Sequence, residues 1–69
     1  ELLQATSSQI VLGHTNGEKS LSIYDLQGKV LFSSPTRFVD GQATVAISLA
    51  QLQVYLIKVE DEVIKFSIK

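Results

Sequence analysis

The chain has 69 residues, a formal net charge of −1 and a hydrophobic fraction of 45%, which together predict one small folded domain rather than a disordered segment. It contains no cysteine, so disulfides and thiolate metal ligands are excluded and the core must consist of packed aliphatic side chains. The basic residues are scattered, and no apolar run approaches the ~20 residues of a membrane span. Nucleic acid, anionic membranes and membrane insertion are therefore not expected.

The N-terminal part of the sequence predicts one or two strands. The chain starts at Glu1, with neither a methionine nor a signal peptide, and is therefore expected to be a piece of a longer protein. Residues 2–6 have no clear pattern, whereas Gln9–Gly13 predicts a strand that ends in a turn at residues 14–17. No internal repeat or linker follows, so residues 1–69 are predicted to form one domain.

A β-hairpin is predicted next. Residues 20–25 alternate between apolar and polar side chains, which is typical of a half-buried strand. The segment Asp25–Gly28 has the sequence of a type I turn, and Lys29–Ser33 predicts the returning strand. One face of this hairpin is predicted to point into the core: Leu21, Ile23, Val30 and Phe32.

The middle of the chain predicts an interruption and then a further strand. Pro35 cannot donate a hydrogen bond to a central ladder, so we expect the strand pattern to break at residues 34–37. A brief extended stretch at residues 38–39 precedes a loop at Asp40-Gly41. Alternation resumes from Ala43, with one face predicted to be buried: Ala43, Val45, Ile47 and Leu49.

The C-terminal third predicts a second hairpin with strong alternation in both strands. Its turn at Asp61-Glu62 lacks the glycine or asparagine that a two-residue loop prefers, which predicts a looser connection. The face predicted to be buried consists of six residues: Tyr55, Ile57, Val59, Ile64, Phe66 and Ile68.

Six or seven short strands at this spacing, with no helical periodicity, are typical of an all-β sandwich or barrel. The connections are too short for parallel crossovers, so the strands should pair antiparallel. We therefore expect a small antiparallel β-sandwich.

The sequence offers no candidate for catalysis, for a cofactor or for a metal ion. Its one histidine, His14, lies in a segment that predicts a solvated turn, and no serine has the setting of a nucleophile. The carboxylates at residues 60–62 are expected to form a solubilising hairpin tip rather than an acid–base pair in a cleft. We therefore predict that the protein is not an enzyme.

The terminal strand, which carries Lys65 and Lys69, is the surface most open to recognition. Lysines on an edge strand can simply prevent edge-to-edge aggregation, but an exposed edge can also be recognised by strand addition. The same edge predicts weak dimerisation of the chain at high concentration.

The order of features from Leu21 onward resembles the C-terminal sorting domain of the type IX secretion system. Residues 21–30 resemble the internal motif of that family, in which a Tyr-Asp corner and a glycine followed by a basic residue separate two strands. Gly41 and the strand ending at Leu49 are similar to the middle of the pattern. Leu52–Val59 resembles the late Val-Tyr motif, and Lys65–Lys69 resembles the terminal strand.

The resemblance implies an immunoglobulin-like sandwich and a role as an export signal in a Bacteroidetes bacterium. The attached protein would pass through the periplasm to the outer membrane or cell surface. The partners would be the outer-membrane translocon, a shuttle protein and a sortase, which usually removes the domain. The residues expected to be recognised are Tyr55, Leu56, Ile57, Lys58, Lys65, Phe66, Ile68 and Lys69.

One departure from the family and two alternative functions remain. A small residue and a glycine normally precede the Val-Tyr pair, whereas here Gln53 follows Leu52 directly, so the loop lacks the residue that best tolerates a positive φ. Because one fold serves many functions, two alternatives remain. The first is an immunoglobulin-like docking module of a bacterial surface protein, and the second is a non-catalytic accessory domain of a secreted hydrolase.

Overall fold

A computed structural model describes residues 1–68 of the chain, and every regular element in that range is a β-strand. No helix able to cross a bilayer occurs among these residues. The all-β prediction is therefore confirmed, with a strand count at the upper end of the expected range. The strands are β1 (Leu2–Ala5), β2 (Gln9–Gly13), β3 (Gly17–Asp25), β4 (Val30–Phe38), β5 (Gln42–Ala46), β6 (Val54–Val59) and β7 (Glu62–Ser67).

The strands form two antiparallel sheets, one of order β1-β2-β5 and one of order β4-β3-β6-β7. This arrangement is an immunoglobulin-like sandwich, in which three hairpins (β1–β2, β3–β4 and β6–β7) are joined by three crossovers between the sheets (β2–β3, β4–β5 and β5–β6). In the constant-type immunoglobulin arrangement the fourth strand belongs to the same sheet as the first. Here β4 pairs with β3 instead, because the turn at residues 26–29 closes a hairpin.

The core lies between the two sheets and contains side chains from both of them. Alternation places every second residue of a strand on the inner face, and the burial patterns of β2, β5 and β6 follow that rule strictly. The predicted inner faces are confirmed except at Val30. The buried residues are Ile10, Leu12, Leu21, Ile23, Phe38, Ala43, Val45, Leu49, Tyr55, Ile57, Val59, Phe66 and Ile68.

The predicted break at residues 34–37 is wrong, because β4 continues through Pro35 to Phe38. Pro35 pairs with Ser20 of β3, but β4 is an edge strand with no neighbour on its other side. An edge strand tolerates a proline because the missing N–H leaves no ladder position unsatisfied.

Val30 is exposed rather than buried, contrary to prediction. The β3–β4 register shifts between Ile23 and Tyr24, so that Ile23 faces Phe32 while Tyr24 faces Val30. The extra residue is Leu31, and a bulge of this kind reverses the faces of the residues beyond it. Phe32 keeps the predicted orientation and packs against the core, half-buried.

The β6–β7 connection is a tight two-residue turn, not the looser loop expected from its sequence. Val59 pairs directly with Glu62, and Glu60 takes the left-handed conformation, with φ 52°. An acidic residue thus occupies a position at which a glycine or asparagine is preferred.

Three further boundaries differ from the sequence prediction. Residues 2–5 form β1, and β3 begins at Gly17 instead of Ser20. The predicted strand from Ala43 to Leu49 ends as regular structure at Ala46. Its continuation stays extended, since the amides of Ile47 and Leu49 donate to carbonyls of Ser8 and Ser7, which keeps Leu49 buried.

Candidate functional site: the edge strand β7 and the outer face beside it

The residues predicted for partner recognition divide into three groups in the structure. Four belong to the core: Tyr55, Ile57, Phe66 and Ile68. Three lie on the outer face of the four-stranded sheet: Leu56, Lys58 and Lys65. Lys69 lies outside the described residues. A partner that binds the folded domain can therefore contact the side chains of the second group directly, whereas the first group acts by maintaining the fold.

Tyr55 has a structural role at the start of β6. Its hydroxyl accepts a hydrogen bond of 2.9 Å from the amide of Ala50, and donates one of 3.4 Å to the carbonyl oxygen of the same residue. The ring packs against Phe66 at a centroid distance of 5.7 Å. A tyrosine that bonds back to the backbone a few residues upstream at this corner is a hallmark of immunoglobulin-like sandwiches. The Val-Tyr part of the resemblance thus has a physical explanation in the fold.

Asp25 explains the other motif that carries the resemblance. One of its carboxylate oxygens accepts hydrogen bonds of 2.9 Å from the amides of Gln27 and Lys29, and Gly28 adopts φ 87° between them. The carboxylate therefore holds the β3–β4 turn closed, as an Asp at the first position of a turn does.

The strand β7 is confirmed as an edge of the four-stranded sheet. It pairs with β6 through six consecutive residue pairs without a register shift. Every second residue of an edge strand directs its N–H and C=O groups away from its neighbour. This side of β7 therefore offers a regular row of unpaired backbone groups.

The other three edges have features that discourage strand addition. β4 contains Pro35 and a bulge, and β1 has only four residues and a register shift between Leu2 and Gln4. β5 has five residues and contacts β4 at the side of the sandwich. Short strands, prolines and bulges are the usual means by which proteins block sheet edges. Among the described edges, β7 is thus the longest that is uninterrupted.

The outer face beside this edge is positively charged. Lys58 and Lys65 are exposed and lie on neighbouring strands, opposite Val63 and Leu56 respectively. Residues 1–68 contain one ion pair, formed by the amino group of Glu1 and the carboxylate of Glu62. Neither lysine therefore has an acidic partner within that range.

The acidic residues are concentrated at one end of the sandwich, where three turns meet. A hydrogen bond of 2.6 Å from the amide of Gly41 to Asn16 Oδ1 joins the β4–β5 and β2–β3 turns. The amino group of Glu1 donates 2.9 Å and 2.8 Å bonds to the carbonyl of Gly13 and to Glu62 Oε1, which brings the β6–β7 turn to the same end. All acidic residues except Asp25 lie in or beside these turns.

This acidic end contains Glu62 and His14, the carboxylate and the histidine that the sequence analysis considered for chemistry. The bond from the Glu1 amino group, and its positive charge, hold the pKa of Glu62 below its usual value, so this carboxylate is not prepared to act as an acid. His14 is half-buried, with its ring 5.9 Å from that of Phe38, rather than fully solvated as predicted. Within residues 1–68, no three His, Asp or Glu side chains are close enough to hold a metal ion.

The opposite end of the sandwich has an apolar surface that the sequence analysis missed. Leu52 is 87% exposed and Leu26 is 61% exposed. Beside them is a groove of about 310 Å³ lined by Leu31, Ile47 and Tyr55 among others. The missing glycine before Val54 was the one sequence signal that pointed to this connection.

Leu52 also has an unfavourable backbone conformation, with φ 61°. Its amide donates a 2.7 Å bond to the carbonyl of Ile68, and the amide of Ile68 donates to Gln53. These bonds fix the β5–β6 connection against the end of β7. The connection thus requires a left-handed residue, and Leu52 supplies it.

Leu52→Gly should therefore raise the free energy of unfolding by about 0.5–1 kcal/mol. A side chain in the left-handed region costs about 1–2 kcal/mol, and the greater flexibility of glycine when unfolded offsets part of that gain. Chemical denaturation measures the change. Gln51→Gly is the matched control, because Gln51 is exposed and has no positive φ; it should lower stability instead. Equal effects of the two substitutions would contradict the strain at Leu52.

Comparisons with known proteins found no relative of this chain. The chain matches no family model, and no curated protein or solved structure is significantly similar to it.

Proposed function

We propose that this chain is a C-terminal signal domain that directs an attached protein through the type IX secretion system to the outer membrane or cell surface. The domain acts by protein–protein recognition and performs no chemistry of its own. Its partners are the outer-membrane translocon, the shuttle protein and the sortase of that system, which it meets after export to the periplasm. The observation that carries the proposal is the uninterrupted, lysine-bearing edge strand β7.

Two further points support the proposal. The motifs that resemble the sorting family occur in the same order along this chain, and the fold is the immunoglobulin-like sandwich that the resemblance implies. On this proposal the signal is read from the surface of the folded domain. An edge strand with free backbone groups is such a surface, because strand addition needs no pocket.

The direct test is a fusion of residues 1–69 to the C-terminus of a fluorescent reporter that carries an N-terminal signal peptide. We expect a Bacteroidetes host with the secretion system to place the reporter on its surface, and a strain without the translocon to retain it in the periplasm. Retention in the competent host, with the domain folded and uncleaved, would refute the proposal.

Exposed lysines allow this test to be refined without unfolding the domain. Lys58→Ala with Lys65→Ala should reduce surface delivery, because it removes the two positive charges beside β7. Both side chains are exposed, so the double variant should fold normally. Lys29→Ala is the matched control, because Lys29 is equally exposed but lies in the β3–β4 turn; delivery should be unchanged.

The second candidate function is a docking module of a bacterial surface protein. The observation that favours it is the apolar end formed by Leu26 and Leu52, because exposed apolar patches often mark contacts with other proteins or domains. An accessory domain of a secreted hydrolase would dock in the same manner. A reporter fusion that remains periplasmic while the domain is folded would favour this function.

A further inference from the structure

We infer that β7 binds an extended peptide segment in which acidic and apolar residues alternate. The segment pairs with the free edge of β7, its acidic side chains lie on the outer face near Lys65, and its apolar side chains lie on the inner face beside Ile64. This inference builds on the proposed function, since it names the partner chemistry of the edge that the proposal identifies.

The acidic half of the pattern follows from charge complementarity. Side chains directly opposite each other on neighbouring strands are in contact, so a residue paired with Lys65 meets an exposed ammonium group without an acidic partner among residues 1–68. Lys58 lies one strand further in, about 10 Å from an added strand. That distance is close to the Debye length at physiological salt, so Lys58 strengthens the attraction at low salt.

The apolar half of the pattern follows from incomplete burial at the same edge. Ile64 faces the core but is only half-buried, although its partner on β6, Ile57, is completely buried. Ile64 lies on the edge, where no further strand covers it. An apolar residue on an added strand would cover this side chain and extend the core by one strand.

The lysines also disfavour the competing occupant, which is a second copy of this chain. When two copies of β7 pair antiparallel, the inner faces of both strands lie on the same side only in certain registers. The register centred on residue 65 is one of these, and it places the two Lys65 side chains opposite each other. Like charges directly opposite each other destabilise such a pair. Self-association through this edge is therefore weak, as the sequence predicts, whereas an acidic strand is attracted. Repulsion of one partner and attraction of another together give specificity.

The test uses soluble capped peptides and the 69-residue chain labelled for nuclear magnetic resonance. A peptide of alternating Glu and Val should shift the amide signals of β7 and slow their hydrogen exchange, and its binding should weaken as salt is raised. A peptide of alternating Lys and Val should bind more weakly. Equal binding of the two peptides, or shifts centred on β4 or β5, would overturn the inference.

Charge reversal provides the decisive arm. Lys65→Glu should weaken the binding of the acidic peptide by about fivefold, on the scale of a cross-strand charge pair lost and a repulsion gained. Lys58→Glu with Lys65→Glu should reverse the preference, so that the Lys-Val peptide binds better. Lys29→Glu changes the net charge equally but lies away from the edge, and binding should be unchanged. If Lys29→Glu weakened the binding of the acidic peptide equally, net charge alone would explain the effect, and the inference would be overturned.

Three controls separate this inference from its alternatives. The dispersion of amide signals shows whether each variant is folded, and the neutral variant Lys65→Gln should give an intermediate affinity. Sedimentation of the free chain measures self-association, and a strong dimer through β7 would contradict the inference. If the peptide binds β7 but the reporter fusion is not exported, the sorting function fails alone. If export succeeds without peptide binding, the partner chemistry fails alone.

Discussion

Ile57→Asp should unfold most of the protein. Ile57 is completely buried on the central strand β6, between Ile23 of β3 and Ile64 of β7. A carboxylate there loses its hydration and has no partner, because the described residues have no buried polar or charged side chain. We expect a loss of about 4 kcal/mol or more. A domain of this size has a total stability of roughly 3–10 kcal/mol.

Two substitutions serve as controls for this prediction. Thr44→Asp introduces the same charge on β5 at an exposed position, and should cost about 0.5 kcal/mol. Ile57→Val removes one methylene from the same site and should cost about 1 kcal/mol. Denaturation by urea, followed by circular dichroism, measures all three variants. Similar losses for Thr44→Asp and Ile57→Asp would mean that the two faces are assigned incorrectly.

The sequence predicted most of this fold because alternation is a local property. Whether Ile23 or Ile57 points inward depends on its own strand, so polar neighbours at every second position were sufficient evidence. The errors arose where the outcome depends on which strand lies alongside. Pro35 would break a central strand but is tolerated on an edge, and nothing in its local sequence shows that β4 is an edge. Val30 was assigned to the wrong face because a bulge leaves no reliable sequence signature.

The candidate site was predicted in part for the same reason. The position of β7 as an edge followed from its place at the end of the final hairpin, and Lys65 was correctly expected on its exposed face. The sequence grouped Phe66 and Ile68 with the lysines, because adjacent positions of one strand are close in sequence but lie on opposite faces. The apolar end around Leu52 depends on a backbone conformation that favours glycine, and the missing glycine before Val54 did not show which residue adopts it.

Phe38→Ala should have the second largest effect on stability. Phe38 is among the largest fully buried side chains, at 1% exposure. It lies at the last position of β4, opposite Gly17, where the chain crosses to the other sheet. Its removal leaves a cavity the size of a phenyl ring, and the two sheets cannot close around it without disturbing the pairing of β3 and β4. We expect a loss of about 3–5 kcal/mol in the free energy of unfolding.

Phe32→Ala is the matched control, because it removes the same side chain from the inner face of the same strand. Phe32 is only half-buried, and water can enter the space that its ring leaves. Its loss should therefore cost about 1–2 kcal/mol, in proportion to the apolar area that it buries. The denaturant dependence of both variants should stay as in the parent chain. If Phe32→Ala costs as much as Phe38→Ala, the end of β4 near Phe38 is not the tighter part of the core.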